Sequence, residues 1–191
     1  MRIDRRIWII GLAAVTACGP AQDADDTAAD AGAETADMPD HATGDMLTDD
    51  DRASIARVAG AVEAFRDVEA AKAAGYTEQY PAGCAFSAEG AQGIHYMNPA
   101  LVDGKVELLT PELVMYEPQA DGSMVFVGVD YAIPFDQWQN PEPPTILGRP
   151  LMRNEALSVW ALHIWSPRVN PSGTFAVWNP AVTCEHAKMV P

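Results

Sequence analysis

Three side chains pair a metal-binding or proton-handling chemistry with surroundings that read as protein interior: His95, Asp130 and His163. His95 stands in Gly93-Ile94-His95-Tyr96-Met97-Asn98-Pro99, Asp130 in Val129-Asp130-Tyr131, and His163 in Trp160-Ala161-Leu162-His163-Ile164-Trp165. A buried imidazole must satisfy two nitrogens, one donating and one accepting when the ring is neutral. A buried carboxylate without a partner is costly, so Asp130 is expected to meet a histidine, an arginine or a metal. Two histidines and one carboxylate on separate strands form the ligand set of many mononuclear Zn or Fe sites, which leave positions open for water or substrate. The implied cofactor is one divalent transition metal. The competing account is a structural hydrogen-bond network in which Asp130 or a backbone carbonyl orients each ring. Tyr96, Tyr131, Trp160 and Trp165 are the candidate walls of a small-molecule pocket; such side chains also serve simply to fill a small core.

Other catalytic templates find less support. The chain has no Gly-x-Ser-x-Gly elbow, no phosphate-cradling Gly-rich loop and no Cys-x-x-Cys-His haem attachment. Its serines lack a neighbouring context that would mark a nucleophile. Glu112 and Glu117 are a candidate carboxylate pair, for which exposed turn acids are the simpler account.

The elements that must position these groups follow from hydrophobic period. Ile55, Val58, Val62, Phe65 and Val68 recur at three- and four-residue spacing, and Gly75 stands where a C-cap belongs, which predicts one amphipathic helix of about six turns. Thr48-Asp49-Asp50-Asp51 supplies N-cap candidates and negative charge for the positive end of the helix dipole. Beyond Tyr76 the character becomes strand and turn. Leu113 to Glu117 and Met124 to Ile133 flank a turn containing Asp121-Gly122 and predict a β-hairpin. Leu157 to Trp165 is apolar on both alternating faces, so it is expected to be a central strand covered on both sides. The Pro-rich stretches 141–150 and 167–180 read as ordered loops without regular structure. The expected fold class is α+β, an N-terminal amphipathic helix packed on a mainly antiparallel β-sheet with long ordered Pro-rich loops.

Charge divides the chain into three parts. The 191 residues carry 27 Asp and Glu against 12 Lys and Arg, a formal net charge of −15. Without a cluster of Lys and Arg beyond the N-terminus, nucleic acid is not an expected partner. Residues 19–51 hold 11 acids and no base, whereas residues 52–191 hold 15 acids and 9 bases. The acidic stretch has a single Leu and no Phe, Trp, Tyr, Ile or Val, too little apolar surface to offset the entropy of ordering, and reads as a disordered tether. Before it, basic Met1 to Arg6 precedes an apolar run from Ile7 to Val15 that is too short to span a bilayer.

Val15-Thr16-Ala17-Cys18 closes that run and resembles the lipobox of bacterial lipoproteins. The resemblance implies a signal peptide over 1–17 and acylation of Cys18, with membrane attachment through two or three acyl chains. Gly19 in place of Asp looks like the outer-membrane destination in a two-membrane bacterium. The expected organisation is then signal peptide 1–17, lipidated Cys18 with a disordered acidic tether over 18–50, and a single α+β domain over 51–191. With Cys18 consumed by lipid, Cys84 and Cys184 remain as an even pair in an oxidising compartment, where a disulfide is expected. Closing a loop of about 100 residues is worth roughly 4.7 kcal/mol in the chain-entropy model. The rival for this pair is a metal or redox site, which the lack of Cys-x-x-Cys disfavours.

The Gly-x-His-Tyr-x-Asn-Pro and Trp-Ala-Leu-His-x-Trp strings, with Ala74-Gly75-Tyr76 ahead of Cys84 and Asn170-Pro171-Ser172-Gly173 beyond, resemble a family of uncharacterised bacterial secreted and lipid-anchored proteins. The resemblance covers most of residues 52–185 and implies a shared fold and site without supplying a reaction. The expected function is an envelope lipoprotein facing the periplasm or exterior, a binding or accessory module whose His/Asp/aromatic pocket suits a metal ion or small ligand. The alternative is a metal-dependent Zn or Fe hydrolase or oxygenase-type enzyme using the same residues.

Overall fold

The computed structural model describes residues 46–188, so the expected signal peptide, Cys18 and the acidic stretch up to residue 45 lie outside the described residues. The described part is α+β with the sheet dominant: six strands, mainly a meander, all paired antiparallel. Among the described residues no helix is long and apolar enough to cross a membrane.

Chain entry is helical but not one helix. α1 spans Asp49–Ala61, a short 3-10 turn spans Glu63–Arg66, and α2 spans Val68–Ala73. Thr48 and Asp51 form a reciprocal capping box, so the helix begins two residues before the boundary at 51 expected from composition. The single six-turn helix is interrupted for two reasons. Val62, Phe65 and Val68 are spaced by strict threes, the period of a 3-10 turn rather than an α-helix. Asp67 then takes an extended conformation (φ −89°, ψ 115°) and its carboxylate accepts from the Glu69 N–H, starting a new helix instead of continuing the old one. α2 ends as expected at Gly75 (φ 102°), where Gly75 N–H donates to Lys72 and Tyr76 N–H to Ala71, the double bond of a Schellman cap.

The sheet contains β1 (Glu78–Ser87), β2 (Gly90–Met97), β3 (Leu113–Pro118) and β4 (Met124–Pro134), each paired with the next. Thr145–Ile146 and Arg149–Pro150 form a separate two-stranded ribbon, β5 and β6. β7 (Met152–Asn154) is the far edge, and β8 (Val159–Trp165) returns between β7 and β4. The β3–β4 hairpin and the interior place of β8 agree with the sequence pattern. The small ribbon corrects the expectation that 141–150 lacks regular structure: Leu147 (φ 51°) and Gly148 (φ 69°) make a tight turn that lets two short flanks pair. The stretch 167–180 is loop and turn, except that Asn179 bridges to Ala91.

Register sorts the side chains onto two faces. Tyr96 lies opposite Val114, Val114 opposite Val129, Val129 opposite Ile164, and Tyr131 opposite Leu162. These residues share one buried cluster with Val58, Val62, Tyr76, Tyr116 and Phe126, the tyrosine face. The other face carries His95, Met115, Leu113, Asp130 and His163. Against it runs the C-terminal segment, in which Val182 and Cys184 pack with Ala91, Met115, Val127 and Trp165. Cys84 and Cys184 form the expected disulfide, joining β1 to that segment.

Candidate functional site

Strand geometry gathers the three candidate ligands. Asp130 on β4 and His163 on β8 are direct cross-strand partners, and His95 on β2 lies on the same face across β3, where Leu113 and Met115 form the floor. Gly93, two residues before His95, has φ 88°, and a Cβ there would stand 2.4 Å from the Tyr116 carbonyl oxygen, so only glycine lets β2 approach β3 this closely.

The convergence is tight. His163 Nε2 lies 3.7 Å and His95 Nε2 3.9 Å from Asp130 Oδ2, and the ring centroids are 5.8 Å apart. One ligand atom from each residue falls within 4.8 Å of the others. His95 is 2% exposed, Asp130 6% and His163 7%. Burial holds both imidazoles at a low pKa of about 4, opposed at His95 by the Asp130 charge, and raises Asp130 to about 6 against the pull of His95. Both rings are therefore neutral at pH 7, with a lone pair to offer a metal.

Backbone groups of Gly93, at His95, and of Leu162 and Tyr131, at Asp130, supply part of a structural network, but the side chains do not complete it among themselves. Distances of 3.7 and 3.9 Å exceed hydrogen-bond range, and His95 Nδ1, Asp130 Oδ1 and His163 Nε2 are buried with no partner. A ligand set around a divalent ion with bonds near 2.0–2.1 Å has neighbouring atoms about 3.3 Å apart. Each His–Asp pair would close by roughly half an ångström to reach that, and no two of the three ligand atoms are more than 4.8 Å apart.

A cavity of about 290 Å³ adjoins the cluster, lined among others by Tyr80, Gln92, His95, Asp130, Arg153 and His163. Its far wall belongs to the C-terminal segment, through Phe175 and Val177. That segment is pinned by Trp165, whose N–H donates to the Thr174 carbonyl and whose indole donates to Ala176, and by Gln92, which donates to the Val177 carbonyl.

The aromatic candidates divide by parity. Tyr96 and Tyr131 each follow a site residue by one position and Trp160 precedes His163 by three, so alternation turns all three toward the tyrosine face, away from the cavity. Trp165, two positions beyond His163, shares its face, and its indole stacks on the His163 ring at 6.1 Å between centroids. Gln92 and Arg153 were not legible as site residues, whereas Tyr80 is one of the aromatic residues whose type suits a pocket wall. Tyr80 reaches the cavity from an irregular stretch of β1, and Arg153 from an edge strand of three residues.

The two glutamates expected as exposed turn acids are both buried. Glu112 is 3% and Glu117 5% exposed because they lie at or inside β3, whose every residue is buried. Glu112 accepts from the Ala132 N–H, and burial pushes its pKa up to about 8. Glu117 binds Arg168 at 2.5 Å and the Thr183 N–H at 2.9 Å, so it anchors the C-terminal segment rather than joining a carboxylate pair. No family model, no curated protein and no solved structure matches this chain.

Proposed function

We propose that this protein is a lipid-anchored envelope module whose folded part binds one divalent transition metal through His95, Asp130 and His163. The observation that carries this reading is the unsatisfied state of the cluster: three converging, buried, ligand-type side chains with unpartnered nitrogen and oxygen atoms. A divalent ion held by His95 Nε2, Asp130 Oδ2 and His163 Nε2 would give the orphaned His163 nitrogen a partner and would hold Asp130 as a carboxylate. The helical stretch 49–73 serves as cover for the opposite face, and the lipobox-like Val15-Thr16-Ala17-Cys18 supports attachment to a membrane facing the periplasm or exterior.

The adjoining cavity favours a second reading on the same residues, a metal-dependent hydrolase or oxygenase-type enzyme in which open coordination positions face the cavity. Metal analysis of the full chain, purified from an oxidising compartment and offered Zn(II) or Co(II), tests the shared premise. One metal per chain is expected, lost in His95→Ala and in His163→Ala. A wild-type chain that retains no stoichiometric metal sinks both readings. In the same preparation Cys18→Ser should leave the membrane fraction; retention there argues against the lipid anchor.

A further inference from the structure

A second cavity of about 560 Å³ shares Tyr80, Ala132, Leu157 and Val159 with the first as common walls. Alternation places the strand residues that line both on one face. His95 is followed at two residues by Met97, Asp130 by Ala132 and then Pro134, and His163 is preceded by Ala161 and Val159. Of these, Met97, Ala132, Pro134 and Val159 line the second cavity, with Val102 and Phe135 beside them. The floor leading away from the cluster is thus apolar on β2, β4 and β8. The polar side chains of the second cavity are Tyr80, Ser158 and the exposed Asp136. Over the shared wall the Tyr80 hydroxyl donates to the Leu157 carbonyl at 2.9 Å, bridging β1 to the turn before β8.

Charge differs between the two ends. A divalent ion with one carboxylate and two neutral imidazoles leaves one positive charge uncompensated. The other charged side chains of the first cavity, Arg153 and Glu155, pair with each other at 2.5 Å. The metal end therefore favours an anionic head, and the strands beyond it favour an apolar body.

We propose that the site takes a monocarboxylate with an unbranched apolar tail, its head on the metal and its tail under the Tyr80–Leu157 bridge into the second cavity. This rests on the metal-site reading above. It narrows the ligand to an amphipathic acid and makes Met97, Val102, Ala132 and Val159 the residues that set tail length. Each methylene fully buried is worth about fourfold in affinity.

The test is calorimetric titration of the Co(II)-loaded full chain with butyrate, octanoate, octan-1-ol and octylamine, with the visible Co(II) bands followed in parallel. Octanoate is expected to perturb the Co(II) bands and to bind at least about tenfold tighter than butyrate, since its four extra methylenes are at least partly buried. The alcohol and amine should bind weakly and leave the bands unchanged. Val102→Trp fills the second cavity without touching a metal ligand; it should keep metal content and butyrate affinity but lose the octanoate advantage. Equal affinity for butyrate and octanoate in a metal-loaded chain overturns the proposal while leaving the metal site intact, as does octylamine binding as tightly as octanoate. A chain that takes up no Co(II) overturns the metal reading and this one together.

Discussion

On the tyrosine face, three buried hydroxyls donate to backbone: Tyr76 to the Pro111 carbonyl, Tyr116 to Phe65 and Tyr131 to Leu108, at 2.6 to 2.8 Å, while the Tyr96 hydroxyl accepts from the Gln79 amide at 3.2 Å. Burial pushes the Tyr76 hydroxyl up to about 12 and the other two higher, so all three remain neutral donors. On the histidine face, three ligand-type side chains converge with no such provision. Of the four buried unpartnered side-chain atoms among the described residues, three belong to His95, Asp130 and His163. The fourth, Arg168 Nε, belongs to a guanidinium already bound through Nη2 to Glu117 and the Ala181 carbonyl. One sheet thus carries a face built for stability and a face that tolerates buried polar atoms at a cost. A fold able to satisfy three tyrosines but not this cluster points to a ligand as the missing partner.

That contrast breaks most visibly on the tyrosine side. Tyr116 is fully buried, with edge-on ring contacts to Tyr96 at 5.8 Å and Phe126 at 5.6 Å between centroids. Tyr116→Ala removes the ring, leaves a cavity and strands the Phe65 carbonyl. The expected loss is about 4–5 kcal/mol in urea unfolding. A loss below about 1 kcal/mol would mean that this face is not the stabilising one.

Glu112, at the start of β3, gives a second handle. Its folded pKa of about 8 lies above the ordinary 4.5, with burial as the main cause, so the fold prefers the protonated form. The unfolded chain releases this proton near 4.5 and the folded chain holds it to about 8, so the contribution is complete below 4.5 and is lost as pH rises through 8. Wild type should therefore lose about 4–5 kcal/mol between pH 4 and pH 9 relative to Glu112→Gln. Parallel stability profiles for the two proteins over that range would remove Glu112 as a titrating core group.

How much of this was readable beforehand depended on local order. The β3–β4 hairpin and β8 were legible because Leu113 to Glu117, Met124 to Ile133 and Leu157 to Trp165 carry dense apolar patterns around turn residues. The cluster residues were legible because each is a polar side chain inside such a pattern. β1 was not, because Pro81 and Gly83 interrupt it and its register breaks between Gln79 and Cys84. Its place depends on β2 and on the bond to Cys184, 100 residues away, which no local pattern carries. The facing of Tyr96, Tyr131 and Trp160 follows from counting odd and even offsets from the histidines and Asp130, once the strands are known. The Tyr80–Leu157 bridge and the second cavity required the tertiary structure, since the bridge joins residues 77 apart.

The smallest expected effect is the most discriminating, because its sign separates the two faces. His95 Nδ1 has no partner and Nε2 is 3.9 Å from Asp130, so replacing the ring breaks no side-chain hydrogen bond and gives up only a backbone contact with Gly93. Removing a buried polar group that lacks a partner costs little and can stabilise, since its desolvation is no longer borne. With chelator present, His95→Leu should change the unfolding free energy by less than about 1 kcal/mol or raise it, against the large loss from Tyr116→Ala. Adding Zn(II) at about a hundred times its dissociation constant should then stabilise wild type by about 2.7 kcal/mol and leave His95→Leu where it was. A loss of about 3 kcal/mol or more in the chelated variant would mean that His95 stabilises the interior as the tyrosines do, and the two faces would no longer differ in kind.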